Sequence, residues 1–268
     1  MVARPRGGPL KRRAYHRPVA KSGAFPQVAA SAVERPSPLR NRSASVLTLP
    51  SATLAEQAYG LVKQAIFDFD LMPGDRFSEA EVSHATGVSR TPLRQALQQL
   101  QREGFVQVFP KSGWRVAPLD FDVFDQLYDL RVLLECHAAQ RLCQIEERPQ
   151  LRALADVWFV PPAERCMQPD EVRVLDESFH NELVRASGNA EMARVHQEIT
   201  ERIRIVRRLD FTKRPRVAAT YDEHARILRA VTRRRAEEAT RLLAAHIEQS
   251  KLEVRHITLD MIYRARDR

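Results

Sequence analysis

The hydrophobic pattern becomes regular near residue 51, where it predicts two short helices. The first has one apolar face, made by Leu54, Ala58, Leu61, Ala65 and Ile66. A Met-Pro-Gly-Asp sequence at residues 72–75 is a turn signal and closes that segment. Ser78 and Glu81 then have the spacing of a capping box, in which a serine precedes a glutamate by three residues. This box predicts the start of a second helix, which Gly87 ends.

A third predicted helix separates an apolar face from a polar one. Its apolar face is made by Leu93, Ala96, Leu97 and Leu100. Pro92 suits a first helical turn, and Ser89 or Thr91 can cap the free amides there. Arg90 and Arg94 face outward near the N-terminal end, which suits a helix whose start enters the major groove of DNA. A surface helix with solvated charges has the same composition, so this segment alone leaves both interpretations open.

A β-hairpin with basic residues near its tip is predicted next. Two short strands, 105–109 and 114–117, are joined by a Pro-Lys-Ser-Gly connection. Three helices followed by such a hairpin are the plan of a winged helix-turn-helix. In that arrangement we expect Lys111 and Arg115 to contact phosphates beside the third helix, and Gly113 to let the backbone approach the minor groove.

Helical spacing dominates the chain beyond residue 119. It predicts six or seven helices, with segments beginning near residues 124, 151, 170, 191, 220 and 236. A Val-Pro-Pro sequence at 160–162 interrupts the second of these segments. Thr220 and Glu223 have the spacing of another capping box and predict a helix start at that point. The predicted fold class is therefore mainly α, with an N-terminal winged helix-turn-helix followed by an all-α helical bundle.

The formal charge of +9 is concentrated at the N-terminal end. Of the 43 basic and 34 acidic side chains, ten basic and one acidic lie in the first 50 residues, so the remaining 218 residues carry 33 of each. DNA contact by the folded part must therefore come from local clusters of basic residues. The first 50 residues are either a phosphate-binding arm or a dispensable extension. We predict a disordered basic extension, a winged domain, an all-helical domain and a tail, at residues 1–50, 51–118, 119–259 and 260–268.

Cysteine usage and hydropathy predict a cytoplasmic protein. Cys136, Cys143 and Cys166 form no closely spaced metal-binding pair, and such a sparse, odd count is typical of free thiols in a reducing compartment. The sequence has no run of about eighteen apolar residues and no apolar signal core. We therefore expect no membrane segment.

These segments together resemble the GntR superfamily of bacterial transcription regulators, in its FadR-like branch with an FCD effector domain. The resemblance covers roughly residues 54–257 and rests on residues 71–75, Ser78, Glu79, Glu81, residues 87–97, residues 103–105 and Gly113. Family members contact bases through arginines at the positions of Arg90 and Arg94, and their wing glycine lies in the minor groove. We therefore predict a double-stranded DNA-binding surface of Arg90, Thr91, Arg94, Lys111, Gly113 and Arg115. Some members have an arginine where this chain has Ala80, which leaves one base contact and the operator sequence open.

A candidate metal site lies in the helical region. Asp176 and His180 are four residues apart and share one face of a helix, while His224 and His246 occupy inward positions of two later helices. A carboxylate and three imidazoles suit a divalent metal ion such as Zn²⁺ or Ni²⁺. Spacing alone equally allows histidines buried in a core. Metal-binding FCD domains have the same order of ligands, so the resemblance implies that these four residues hold a metal ion.

A further candidate, Arg131, lies on the apolar stripe of its helix, where an unpaired guanidinium would be costly. It can pair with Glu135 one turn later, or it can clamp the carboxylate of an effector. Some family members use an arginine here for effector binding, so the resemblance favours the second role. Asn181 and Arg202 are weaker candidates for the effector site, with Arg204 as an alternative to Arg202.

The sequence therefore predicts a homodimeric transcription regulator, a repressor rather than an enzyme, that responds to a small carboxylate effector. Two other functions stay open at this point. A metal-dependent hydrolase would use the same aspartate and histidines, although no His-Glu-x-x-His motif supplies a general base. A metal sensor would respond to the ion itself.

Overall fold

The computed structural model describes residues 52–109, 113–148, 150–210, 214–257 and 261–262. The predicted basic extension, Lys111 and most of the predicted tail lie outside these residues. The N-terminal part contains three helices and three short strands: α1 (Leu54–Phe67), β1 (Arg76–Phe77), α2 (Glu79–Thr86), α3 (Arg90–Arg102), β2 (Val106–Phe109) and β3 (Gly113–Val116). This order confirms the winged helix-turn-helix.

Local capping chemistry explains where α2 begins and ends. The Ser78 hydroxyl accepts a hydrogen bond from the Glu81 amide at 3.2 Å, and the Glu81 carboxylate accepts one from the Ser78 amide at 2.7 Å. Gly87 ends the helix in the left-handed conformation, with φ of +70°. Both predictions for this helix are confirmed.

The start of α3 differs from the prediction in one detail. Ser89 is the N-cap residue, but within the described chain its side chain makes no capping hydrogen bond. Thr91 already lies inside the helix and therefore cannot cap it. Pro92 lies in the first turn as predicted, and the predicted apolar face is buried: Leu93, Ala96, Leu97 and Leu100.

The wing is a three-stranded antiparallel sheet with strand order β1-β3-β2. Val106 lies opposite Val116, and Phe77 lies opposite Trp114. These four side chains are buried, so they fasten the sheet to the helices. The sequence did not predict β1, because two residues are too few to produce a recognisable alternation.

The C-terminal part consists of helices packed around α4. In the described chain beyond residue 119 there are six α-helices: α4 (Phe121–Gln144), α5 (Gln150–Trp158), α6 (Pro169–Ala186), α7 (Ala190–Asp210), α8 (Arg214–Thr232) and α9 (Ala236–Arg255). A short 3-10 turn, Pro162–Glu164, follows the predicted interruption. Helix α4 contacts α6, α7, α8 and α9. The predicted all-α bundle is confirmed, and none of the described helices has the length and apolarity needed to cross a membrane.

The predicted helix start at Thr220 is wrong. Helix α8 begins at Arg214 and runs through this position without a break. The Thr220 hydroxyl donates a hydrogen bond to the Arg216 carbonyl oxygen at 2.9 Å, as hydroxyls inside helices commonly do. Glu223, the other half of the expected box, instead contacts Arg216 and His246. The capping motif therefore occurs here by chance, inside a longer helix.

Gly113 is required by the packing of the wing. Its φ is +91°, and a Cβ atom at this position would lie 2.7 Å from the carbonyl oxygen of Phe77 in β1. Gly74 has the same φ of +91° but open space where its Cβ would be. These two glycines therefore separate backbone strain from steric overlap.

We expect Gly113→Ala to lower the free energy of unfolding more than Gly74→Ala does. The left-handed backbone costs roughly 1–2 kcal/mol in both variants. Overlap with Phe77 adds about 1–3 kcal/mol in Gly113→Ala alone. Urea unfolding of the two full-length variants, followed by tryptophan fluorescence, measures the difference. Equal losses of stability would contradict the steric explanation.

Candidate DNA-binding surface and candidate metal centre

The N-terminal end of α3 presents the predicted arginines to solvent. Arg90 and Thr91 are exposed in its first turn, and the side chain of Arg94, one turn later, is 62% exposed. The opposite face of the helix is buried against the winged-domain core. This end of the helix is thus polar, basic and accessible.

Arg94 is held by a carboxylate from the preceding helix. Its Nε donates to Glu79 Oε1 at 3.0 Å, and its Nη2 donates to Glu79 Oε2 at 2.8 Å. Trp114 of β3 donates from its indole nitrogen to Glu79 Oε1 at 3.4 Å. The hydrogen bonds from Arg94 lower the pKa of Glu79, so this carboxylate stays ionised. One side chain therefore connects α2, α3 and the wing.

Two further residues of the predicted DNA-binding surface, Gly113 and Arg115, lie in β3 of the wing. Arg115 is half-buried, faces Arg76 across the strands and donates to Gln107 at 2.9 Å. The guanidinium groups of Arg76 and Arg115 lie 3.9 and 5.6 Å from the centre of the Phe109 ring. Arg76 was not predicted, because the strand that carries it was missed.

The four predicted metal ligands come together in the helical domain, where all are at least 96% buried. The Nε2 atom of His246 lies 3.2 Å from that of His180 and 3.2 Å from that of His224. Asp176 Oδ1 lies 3.3 Å from His224 Nε2 and 3.8 Å from His180 Nε2. The four ligand atoms all lie within 4.8 Å of one another. Helices α6, α8 and α9 supply them.

Two carboxylates determine how these imidazoles present their nitrogens. His180 Nδ1 lies 2.5 Å from Glu135 Oε2, and His246 Nδ1 lies 2.6 Å from Glu223 Oε2. A neutral imidazole that donates from Nδ1 has a lone pair on Nε2. The Nε2 atoms of His180 and His246 therefore face each other with two lone pairs and no proton between them. Such a contact is repulsive unless a cation lies between the two nitrogens. Carboxylates in this role are typical of histidine metal sites.

Burial keeps the three histidines uncharged. It lowers the pKa of His180 to about 3, and it lowers the pKa values of His224 and His246 below the usual range. The neutral form is the one that binds metals. The set thus consists of three neutral imidazoles and one carboxylate at neutral pH.

The two orienting carboxylates remain ionised although they are buried or half-buried. Burial opposes ionisation of Glu135, but its pKa lies well below the usual range because His180 and Arg131 stabilise the charged form. Burial likewise opposes ionisation of Glu223, while hydrogen bonds from His246 and Arg216 lower its pKa to about 2. Both groups therefore accept hydrogen bonds throughout the physiological range.

His224 is oriented by aromatic rings rather than by a carboxylate. Its ring stacks on Phe179 with centroids 3.9 Å apart and meets the edge of Trp158 at 4.2 Å. Among the described residues its Nδ1 has no hydrogen-bond partner. Packing thus determines the ring plane but does not select which ring nitrogen of this neutral imidazole carries the proton.

Asp176 has a second contact that the sequence did not predict. Arg207 of α7 forms an ion pair with Asp176 Oδ2, while Oδ1 faces the histidines. The carboxylate is therefore shared between an arginine and the candidate metal centre.

The predicted effector residues do not all lie together. Arg131 donates to Glu135 at 2.9 Å, so the intrahelical pair is present, and within the described chain its Nη2 has no hydrogen-bond partner. Asn181 lies 3.1 Å from Nδ1 of His196, whose Nε2 lies 3.0 Å from Glu135. Arg202 is exposed and lines a separate cavity of about 800 Å³ with residues of the winged domain. Arg131 and Asn181 thus join the histidine network, whereas Arg202 does not.

Two residues of this network, His196 and Arg207, were missed. Both are at most 3% exposed, and both lie on the apolar face of α7 that includes Met192, Ile199 and Ile203. Each could have been found as Arg131 was, as a polar residue at a core position in the apolar stripe of its helix. The same test applied to α7 would have selected Arg207 instead of Arg202.

Two family models match the chain. The model described as "Bacterial regulatory proteins, gntR family" matches residues 54–116, and the model described as "FCD domain" matches residues 126–249. The first match contains the winged helix-turn-helix. The second contains the four clustered ligands and the residues that orient them.

Three known proteins are similar to this chain over most of their length. The Nta operon transcriptional regulator of Aminobacter aminovorans is 32% identical over 181 residues, which cover 68% of this chain and 85% of that protein. The HTH-type transcriptional repressor RspR of Escherichia coli (strain K12) is 24% identical over 209 residues, which cover 78% and 92%. A solved GntR regulator from Rhodococcus sp. RHA1 superposes with a TM-score of 0.61 at 19% identity, covering 76% and 98%. This last similarity supports the fold alone.

Proposed function

This chain belongs to the gntR family of bacterial regulatory proteins and has an FCD domain, and from this membership we propose that it is a homodimeric repressor whose affinity for operator DNA is controlled by a small carboxylate effector. The relatives described above are named as transcription regulators, one of them as a repressor. This supports the regulator over the metal-dependent hydrolase. A repressor of this kind acts on DNA in the bacterial cytoplasm.

We propose that α3 reads the operator from the major groove. The exposed positions of Arg90, Thr91 and Arg94 support this role, and Arg115 with Gly113 extends the surface along the wing. Lys111, which follows the last residue of β2 by two positions in the sequence, belongs to the same proposal on sequence grounds. Because the chain beyond residue 50 has no net charge, specificity rests on these few side chains rather than on general attraction to DNA.

A homodimer follows from how such domains bind DNA, since two copies contact the two half-sites of a near-palindromic operator. We propose that the helical domains form the dimer contact. Leu130 and Leu133 of α4 support this, because their side chains are large, apolar and 45% and 67% exposed.

Arg90→Ala and Arg94→Ala should each weaken operator binding by about 10- to 100-fold, because each removes a contact to a base edge. The operator is first selected from random duplexes with the unaltered protein, and affinities are measured by fluorescence anisotropy. Arg102→Ala is the matched control, since Arg102 is an exposed arginine at the opposite end of the same helix. Unaltered affinity in both of the first two variants would refute the assignment of α3.

The helical domain, we propose, holds one divalent metal ion at Asp176, His180, His224 and His246. The observation that carries this proposal is the 3.2 Å distance between the Nε2 atoms of His180 and His246. A carboxylate at the Nδ1 atom of each ring directs the Nε2 lone pair inward. Two nitrogens bound to one tetrahedral Zn²⁺ lie roughly 3.3 Å apart. Zn²⁺ or Ni²⁺ would supply a Lewis-acidic position at which an effector carboxylate can bind.

His224→Ala should abolish stoichiometric binding of Zn²⁺ or Ni²⁺, whereas His137→Ala should not. His137 is an exposed histidine of α4 and serves as the control. Glu135→Gln should weaken metal binding by about 10- to 100-fold, because it removes the carboxylate that orients His180. Equilibrium dialysis with metal analysis measures the stoichiometry. One metal ion per chain retained in His224→Ala would contradict the proposed ligand set.

Arg131 and Asn181 are the proposed effector contacts. The unpartnered Nη2 of Arg131, buried in the histidine network, is a suitable donor to a carboxylate. Arg202 is left outside this site because it lines another cavity. A response to metal alone, without any organic acid, would instead identify the ion as the signal.

We propose that α7 transmits occupancy of this site to the winged domain. Arg207 contacts Asp176, and the next residue, Arg208, donates to the Phe67 carbonyl oxygen and to Asp68 Oδ1, both at 2.6 Å, at the end of α1. A cation bound at Asp176 Oδ1 would weaken the attraction between this carboxylate and Arg207 at Oδ2. Consecutive arginines thus link the two domains through one rigid helix.

Arg208→Ala should leave operator binding and metal binding intact but remove the coupling between them. In the unaltered protein we expect Zn²⁺, alone or with a panel of small carboxylates, to change operator affinity by about 5- to 150-fold. In Arg208→Ala the same additions should change operator affinity by less than about twofold, which is well below the change expected for the unaltered protein. Arg194→Ala is the control, since Arg194 lies on the same helix and, among the described residues, forms ion pairs with its neighbours Glu191 and Glu198. Full coupling in Arg208→Ala would eliminate this route.

A further inference from the structure

We propose that Glu79 is a positioning residue that sets the operator specificity of Arg94. This inference rests on the proposed contact of Arg94 with DNA. Glu79 lies outside the predicted DNA-binding surface, and its negative charge has the same sign as that of the DNA backbone.

Glu79 is more buried and has more hydrogen-bond partners than a carboxylate in a typical surface ion pair. Its side chain is only 20% exposed, although Arg94 is 62% exposed. Both carboxylate oxygens accept from Arg94, and Oε1 also lies 3.4 Å from the indole nitrogen of Trp114, which is buried. Glu79 is the first residue of α2, where the helix dipole favours a negative charge. The carboxylate is therefore held from three sides.

The contacts with Glu79 leave N–H donors on both terminal nitrogens of the Arg94 guanidinium available for a base. An arginine has five N–H donors, and Glu79 takes the one on Nε and one on Nη2. Both donors on Nη1 and the second donor on Nη2 point away from the carboxylate. This pair of terminal nitrogens matches the O6 and N7 acceptors of guanine. Arg94 can therefore bind a base edge without releasing Glu79.

The positioning role and simple electrostatics predict opposite effects. A carboxylate near the phosphate backbone repels every duplex equally, so removing its charge should tighten binding to all DNA. If the carboxylate instead fixes the plane of the guanidinium, its removal lets Arg94 sample many orientations and weakens binding to the operator alone. The ratio of operator affinity to non-specific affinity distinguishes the two effects.

The test compares Glu79→Gln and Glu79→Asp with Glu81→Gln. Glu81 lies two residues further along α2, and glutamine preserves its capping box, so this control removes the same charge without disturbing the helix start. Anisotropy titrations use the selected operator and a shuffled duplex of equal length. Circular dichroism establishes that each variant is folded.

We expect Glu79→Gln to lower the affinity ratio by about tenfold, the scale of one bidentate base contact, with non-specific binding unchanged or tighter. Glu79→Asp keeps the charge but shortens the side chain, so it should lower the ratio as well. Glu81→Gln should keep the ratio. In the Arg94→Ala background, Glu79→Gln should have no further effect on it.

Two results overturn the inference in different ways. If Arg94→Ala weakens operator binding but Glu79→Gln and Glu79→Asp keep the ratio, the DNA contact stands and the positioning role is wrong. If Arg94→Ala itself leaves operator binding unchanged, the proposed base contact of Arg94 fails, and the inference about Glu79 fails with it.

Discussion

The need to pair charges inside the helical domain is the constraint on which this structure depends. Among the described residues, the charged groups that surround the histidine cluster include three arginines and three carboxylates that are buried or largely buried: Arg131, Arg207, Arg216, Glu135, Asp176 and Glu223. Removing one partner of a buried pair typically costs about 3–5 kcal/mol. The pair of Arg207 with Asp176 joins α7 to α6, whereas the pair of Arg131 with Glu135 lies within α4 and that of Arg216 with Glu223 lies within α8. Glu135 and Glu223 connect further helices through histidines, since Glu135 contacts His180 of α6 and His196 of α7, and Glu223 contacts His246 of α9. The histidine cluster lies at the centre of this arrangement.

The charge balance of this centre also bears on the kind of ligand it can accept. The formal charges of these three arginines and three carboxylates sum to zero, and the three clustered histidines are neutral. A bound divalent ion would therefore leave the interior positive, and a carboxylate is the natural compensating ligand. The unpartnered Nη2 of Arg131 adds a donor for it. Metal and anionic effector are in this sense complementary parts of one proposed site.

Sequence reasoning succeeded where the signals were local. The capping box of Ser78 and Glu81, the left-handed Gly87 and the apolar face of α3 depend on residues within one or two turns, and all three were predicted correctly. The box at Thr220 failed because a capping motif cannot be distinguished from a helix interior without knowing where the helix begins. The clustering of the four candidate ligands was expected with the help of a family resemblance, since spacing alone could not bring three helices together.

The network around those ligands was beyond sequence reasoning because it is made of contacts between helices. Glu135 was considered only as a partner of Arg131, and Glu223 only as part of a capping box. Their contacts with His180 and His246 become visible only when α4 packs against α6 and α8 packs against α9. Arg202 was preferred to Arg207 because the direction of α7 relative to the cluster was unknown.

The two candidate sites, one in the winged domain and one in the helical domain, use the same physical principle. Glu135 and Glu223 orient imidazoles so that their lone pairs face inward, and Glu79 orients a guanidinium so that its free donors face outward. In each case a carboxylate restricts the group before any ligand arrives, so the entropy of ordering is lost during folding rather than during binding. Affinity gained in this way is selective, because it helps only a ligand whose geometry matches the prepared group. A regulator whose chain beyond residue 50 has no net charge depends on that selectivity, since general electrostatic attraction cannot replace it.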